Sequence, residues 1–70
     1  MTRFTVYVVQ AEESGPGKGQ LVSGYLDTNG ELTQNVKHAA RMLFAEAAEA
    51  AEACDEGGWQ LVQARFDQVD

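Results

Sequence analysis

The stretch VKHAARMLFAEAAEAAEAC, residues 36–54, decides the fold. It is the one long segment with a helical pattern. At 100° per residue, Val36, Ala39, Ala40, Leu43, Phe44, Ala47, Ala50, Ala51 and Cys54 fall within one arc of about 140°. That arc predicts a buried face. Its C-terminal half is nearly all alanine, so the helix is expected to lie very close to its neighbour. Thr33 or Asn35 can cap the N-terminus by offering a side-chain oxygen to free backbone N–H groups. Gly57 or Gly58 ends the helix in the left-handed conformation that glycine adopts at little cost. The opposite face carries Lys37, His38 and Arg41 early, then Glu46, Glu49 and Glu52 late. Glutamates near a helix C-terminus oppose the macrodipole by about a few tenths of a kcal/mol each. Stability alone would not place them there, which points to a use for the acidic end.

The segments around this helix read as strands. Residues 3–10 are β-branched and aromatic, without Gly or Pro. Phe4, Val6 and Val8 point one way, Tyr7 and Val9 the other. Two apolar faces predict a central strand. Residues 11–20 hold three glycines and the only proline, and read as a loop. Residues 20–27 read as a second strand, with Gly24 as a weak point or bulge. Asn29-Gly30 is the strongest hairpin signal, since both central positions of a type I′ turn need φ > 0. Residues 31–33 form a short third strand or a plain turn. Residues 59–66 read as the last strand, with Trp59 and Leu61 on one face and Val62, Ala64 and Phe66 on the other. Asp67 to Asp70 reads as a short acidic tail. The expected fold is α+β: one domain over residues 1–70, an antiparallel sheet of three or four strands in the order β-β-(β)-α-β, packed on one long helix.

Seventy residues build one thin core, typically worth only about 3–5 kcal/mol net. Such domains often gain stability from disulfides, metal or self-association. Cys54 is the only cysteine, which excludes an internal disulfide and fits a reducing compartment. His38 and Cys54 are the only soft ligands, so no metal and no cofactor is expected. Met1-Thr2-Arg3 leads directly into a strand pattern without the apolar core of a signal peptide. No apolar run approaches the ~20 residues that span a bilayer. A cytoplasmic protein is expected, with no membrane partner.

The net charge of −6 is unevenly placed. Residues 1–43 balance Glu12, Glu13, Asp27 and Glu31 against Arg3, Lys18, Lys37 and Arg41. Residues 44–70 set Glu46, Glu49, Glu52, Asp55, Glu56, Asp67 and Asp70 against Arg65 alone. This asymmetry favours a basic partner and disfavours direct contact with nucleic acid, whose phosphates need clustered Lys and Arg.

Catalytic chemistry finds little footing. Gly15-Pro16-Gly17-Lys18-Gly19 lacks the hydroxyl residue of a phosphate loop, and a strand rather than a helix follows it. His38 could be a general base but has no nucleophile near it. Cys54 lies on the buried arc and reads as a small core residue. The carboxylates on the helix are not interleaved with glycine as calcium loops are. No catalytic residue and no metal site is assigned. Met42 sits on the otherwise polar side beside Ala45 and Ala53, where an adaptable thioether suits a partner surface. Trp59 is expected to pack on the helix end.

Residues 55–62, Asp55-Glu56-Gly57-Gly58-Trp59-Gln60-Leu61-Val62, resemble part of a widespread bacterial family of small domains of unknown function. That family joins an N-terminal strand and a helix to a terminal Glu-Gly-Trp-Glu-Leu-Val strand. Gly58-Trp59, Leu61 and Val62 match, and Gln60 replaces the usual acid. The resemblance implies a compact sheet on one helix and no established activity. In size, acidity and element order the chain is also similar to phage-encoded inhibitors of host machinery, including anti-CRISPR proteins. That likeness implies a non-catalytic protein that covers a nucleic-acid-binding surface of its target.

The expected function is therefore that of a non-enzymatic protein-binding domain. Glu46, Glu49, Glu52, Asp55, Glu56 and Met42 would dock on a basic patch of a larger, nucleic-acid-processing protein. The alternative is a homodimeric housekeeping domain that packs the second apolar faces of its first and last strands against a second copy.

Overall fold

The structure is a computed structural model and describes residues 2–69. Four strands, β1 (Phe4–Glu12), β2 (Leu21–Leu26), β3 (Leu32–Thr33) and β4 (Trp59–Gln68), form one antiparallel sheet in the order β3-β2-β1-β4. One helix, α1 (Phe44–Ala53), packs on one face across β1 and β4. The α+β class and the central place of β1 match the expectation from its two apolar faces. Val6 and Val8 are 0% exposed beneath the helix. Burying each such side chain contributes about 1.5–3 kcal/mol. Ala47, Ala51 and Cys54 pack on them, small enough to let the backbone approach the sheet.

The helix is shorter than the periodicity of residues 36–54 predicts. Asn35 does cap, but it caps a single 3-10 turn, Val36–His38, through its side-chain oxygen and the Lys37 N–H at 3.0 Å. The chain then runs extended. Ala39 bridges Asp27, and the Ala40 N–H donates to the Leu26 carbonyl at 2.9 Å. Phe4 and Met42 exchange hydrogen bonds of 2.8 and 2.9 Å. β2 ends at Leu26, so the end of β1 needs another partner for its backbone groups. Residues 39–42 supply it, and the helix starts only at Phe44. Met42 therefore lies in an extended strap, not on a helix face.

At the helix N-terminus the Leu43 N–H donates to Glu46 Oε1 at 3.2 Å, one half of a capping box. Phe44 stacks edge-on against Phe4 and tilted against Phe66, both with ring centroids 5.5 Å apart. At the other end, Gln10 Nε2 donates to the Cys54 carbonyl at 2.8 Å. The helix does not end at a glycine as expected: its cap is Cys54, in right-handed conformation at φ −73°. Gly57 and Gly58 lie beyond it, where they turn the chain into β4 at φ 68° and 86°.

Two local expectations change. Asn29 does not take positive φ, so the turn is not type I′; only Gly30 does, at 79°. The Gly30 N–H closes on the Asp27 carbonyl and the Asp27 N–H on the Glu31 carbonyl. This is the three-residue hairpin in which a left-handed glycine follows a turn. Asp27 Oδ1 accepts the N–H groups of Asn29 and Glu31 and secures it. The bulge falls in β4 rather than at Gly24. Val9 pairs with Gln63 and Gln10 with Leu61, which leaves Val62 as the extra residue. The extra residue resets the alternation, so Leu61, Ala64 and Phe66 all pack on the core. Gly24 instead permits close approach: a Cβ there would lie 3.0 Å from the Thr33 carbonyl oxygen.

The strand continues to Gln68, so Asp67 belongs to the sheet and not to a tail; Asp70 lies outside the described residues.

Thr5 is 2% exposed, and its hydroxyl has no hydrogen-bond partner among the described residues. A buried unpaired hydroxyl costs about 1–3 kcal/mol. Thr5→Val keeps the β-branched shape and removes that hydroxyl. Urea unfolding should show the variant more stable by about 1 kcal/mol. A loss of stability would mean that the hydroxyl is satisfied in solution.

Candidate functional site

The acidic segment of the sequence becomes the helix and the turn that follows it. Because α1 begins at Phe44, Glu46 sits in its first turn and Glu52 in its last. Glu46 is thus favourably placed for the macrodipole, contrary to its expected C-terminal position, and its carboxylate is engaged by Leu43. Glu52 does oppose the dipole, and no basic residue stands in that last turn. Asp55 also has internal work: its Oδ1 accepts the Leu61 N–H at 3.0 Å and fastens the start of β4 to the helix end. Glu49, Glu52 and Glu56 are exposed, and among the described residues no hydrogen bond or ion pair engages their carboxylates.

The acids and bases of β4 cancel. Arg65 Nε contacts both carboxylate oxygens of Asp67 at 3.1 Å, and a second guanidinium nitrogen reaches Oδ2 at 3.0 Å. The Asp67 hydrogen bond and charge push the Arg65 pKa up. Arg65 also lies 4.8 Å over the Tyr7 ring, and Tyr7 packs edge-on against Tyr25 at 5.2 Å. This row occupies the sheet face away from the helix. On that face β4 presents Gln63, Arg65 and Asp67, each opposite a residue of β1. The bulge turns Leu61, Ala64 and Phe66 inward, so the apolar second face expected for the last strand is reduced to the exposed Val62 at the bulge itself. Uncancelled negative charge is left on the helix and the turn that follows it.

Beside that charge the sheet is only partly covered. The helix lies over β1 and β4, and a cleft of about 470 Å³ opens between its C-terminal end and the β2–β3 hairpin. Val22, Leu26, Leu32 and Cys54 form its apolar lining, with Trp59, Glu31 and Glu56 around it. Trp59 is half-buried at the helix end, near its expected place. A second cleft of about 390 Å³ continues past Leu26 and Gly30 toward Met42 and Arg41. Met42 is half-buried and packs on the core, with part of its side chain lining this cleft. The structure thus brings Glu56 to a cleft and leaves Glu49 and Glu52 on the open helix surface. Glu31 and Gln10 were not anticipated at the site. Gln10, the polar residue that follows the apolar run of residues 6–9 within β1, is the one sequence signal that could have marked this edge.

The remaining candidates lie apart from one another. The loop from Glu13 to Gln20 joins two antiparallel strands, and the Glu13 N–H ties it to the Gly58 carbonyl. No helix follows it, so it is not a phosphate loop. His38 is exposed on the 3-10 turn. Cys54 is buried, with Sγ donating to the Ala50 carbonyl at 3.4 Å. Among the described residues no group of three His, Cys, Asp or Glu is placed to hold a metal ion. No helix among them is long and apolar enough to cross a membrane.

Asp55→Ala removes the acceptor for Leu61 and should cost about 1 kcal/mol in denaturant unfolding, whereas Asp55→Asn, which keeps an acceptor, should cost less. Equal losses would assign the effect to charge rather than to the hydrogen bond. Burial pushes the Cys54 thiol above its ordinary value of 9.0. The unfolded chain releases that proton first, so this contribution is complete below about pH 9 and shrinks as pH rises toward the folded value. Cys54→Ala should flatten the fall in stability measured as pH rises above about 9. An unchanged slope would show that the thiol titrates normally in the folded protein.

No protein-family model matches the chain, and neither a curated protein nor a solved structure matches it.

Proposed function

We propose that this chain is a non-enzymatic protein-binding domain whose acidic helix end covers a basic, nucleic-acid-binding patch on a larger protein. One observation carries the reading. Among the described residues no group neutralises Glu49, Glu52 or Glu56 on the helix and the turn after it, while Arg65, the one base of residues 44–70, is already held by Asp67. A field of one sign steers association with a surface of the opposite sign and orients the encounter. Apolar contact must then supply durable affinity, and the clefts that reach from Trp59 to Met42 provide such a surface beside the charge. The same combination of acidity and small size is the basis of the likeness to phage-encoded inhibitors of the anti-CRISPR type, whose targets are cytoplasmic nucleic-acid-processing proteins.

The tagged chain is first used to capture partners from bacterial lysate, with washes at low and high salt and mass spectrometry of what remains. The captured protein is then assayed for nucleic-acid binding with and without the chain. Stoichiometric capture of a basic protein, together with loss of its nucleic-acid binding, is the expected result. Glu49→Lys with Glu52→Lys should abolish both effects. The double variant should keep its thermal stability or gain about 0.3–1 kcal/mol, because a cation in the last turn suits the helix dipole. Undiminished capture by the variant would overturn the reading. Recovery of the chain alone, as two copies per particle, would move the weight to a homodimer.

A further inference from the structure

We infer that the cleft beside the helix C-terminus receives an arginine side chain of the basic partner. This inference rests on the reading above and specifies how that partner is held. The cleft joins two properties that rarely serve the same ligand. Its lining is apolar, with Val22, Leu26, Leu32 and Cys54. Among the described residues its charged groups are all negative: Glu31 and Glu56 stand at it, and neither carboxylate has a partner there. The helix adds the negative end of its dipole here, with no basic side chain in the last turn to offset it. The only side-chain amide at the cleft, that of Gln10, donates to the Cys54 carbonyl. A neutral apolar side chain would desolvate the carboxylates without answering them, and an anion would be repelled.

A long apolar stem with a cationic head fits both properties, because the stem buries against the lining while the head stays with the carboxylates. Trp59 selects between the two basic side chains. An indole face attracts a cation, and a planar guanidinium stacks on it where an ammonium acts only as a point charge. The arginine must come from outside. Arg65 is held by Asp67 on the opposite face of the sheet, Arg41 lines the adjoining cleft, and Arg3 precedes β1 at the end away from Gln10, where its carbonyl accepts the Val69 N–H.

Trp59 is the only tryptophan, so its fluorescence reports occupancy directly. The intact chain is titrated with N-acetyl-arginine amide, with the citrulline and lysine amides as comparisons, while amide NMR shifts map the contact. The arginine compound should change Trp59 emission saturably and shift the amides of Glu31, Cys54 and Glu56. The neutral citrulline compound should bind about tenfold more weakly or worse. Equal responses to arginine and citrulline, or shifts spread over Glu49 and Glu52 without the cleft, would overturn the inference. A response to lysine as strong as that to arginine would remove the stacking role of Trp59.

Ala53→Phe fills the cleft from an exposed helix position and leaves every carboxylate in place; thermal melting confirms that it folds. It should weaken capture of the partner about tenfold, a loss comparable to that of one good charged and stacked contact. Capture that depends on Glu49 and Glu52 but survives Ala53→Phe, with no localised arginine response, refutes the cleft and leaves the proposed function standing. Localised arginine binding without any captured partner refutes the proposed function and leaves the cleft.

Discussion

Two hydrogen bonds join Phe4 to Met42, and a third joins Ala40 to Leu26. Each contributes about 0.5–1.5 kcal/mol net, yet their larger effect is positional. They hold residues 39–42 extended beside the end of β1, where β2 has already turned away. The helix can then begin only at Phe44, and the Phe44 ring closes on Phe4 and Phe66. From that anchor a helix of this length rises about 15 Å and delivers Cys54 to Gln10 at the other end of β1. The helix is thereby pinned at both ends over β1 and β4. Residues that would have lengthened it are used as a strap, and the floor of the sheet near the β2–β3 hairpin stays uncovered. The clefts follow from that shortage of cover.

The placement of the helix also sorts its carboxylates. Glu46 caps and Asp55 fastens β4, so both are engaged in holding the fold. Among the described residues no side chain or backbone group engages the carboxylates of Glu49, Glu52 and Glu56. A run of acids that is uniform in sequence is therefore divided in space into structural and unoccupied members. At physiological ionic strength exposed charges act over about 8 Å, so the unoccupied ones matter most where they adjoin a surface that can make contact. Glu56 does so at the cleft, where Glu31 from the hairpin joins it.

Much of the architecture is legible from local pattern. The two apolar faces of residues 3–10 identify a central strand, and Gly30, Gly57 and Gly58 mark turns that need left-handed backbone. The strap is not legible, because Ala39, Ala40 and Met42 are good helix formers and both conformations bury the two alanines. What decides between them is pairing with Phe4, a contact distant in sequence. The bulge at Val62 escaped for a related reason. Alternation through Trp59, Leu61, Val62, Ala64 and Phe66 reads as a strand apolar on both sides, whereas one extra residue brings Leu61, Ala64 and Phe66 to one side and leaves Val62 exposed. Of the site, the charges are visible in the sequence, but their division is not. Asp55 and Glu56 are neighbours with the same chemistry, and only the approach of Leu61 makes one a fastener and leaves the other free.

The same bulge has a consequence for self-assembly. β4 is ten residues long and forms an edge of the sheet, the kind of template on which further strands add and fibrils grow. Val62 breaks the regular spacing of its outward N–H and C=O groups near the middle. An incoming strand could follow only one half of the edge before losing register. Arg65 and Asp67 add charges that such a strand would have to desolvate. A small chain with a thin core thus carries its longest strand at the margin while denying neighbouring copies a continuous edge to copy.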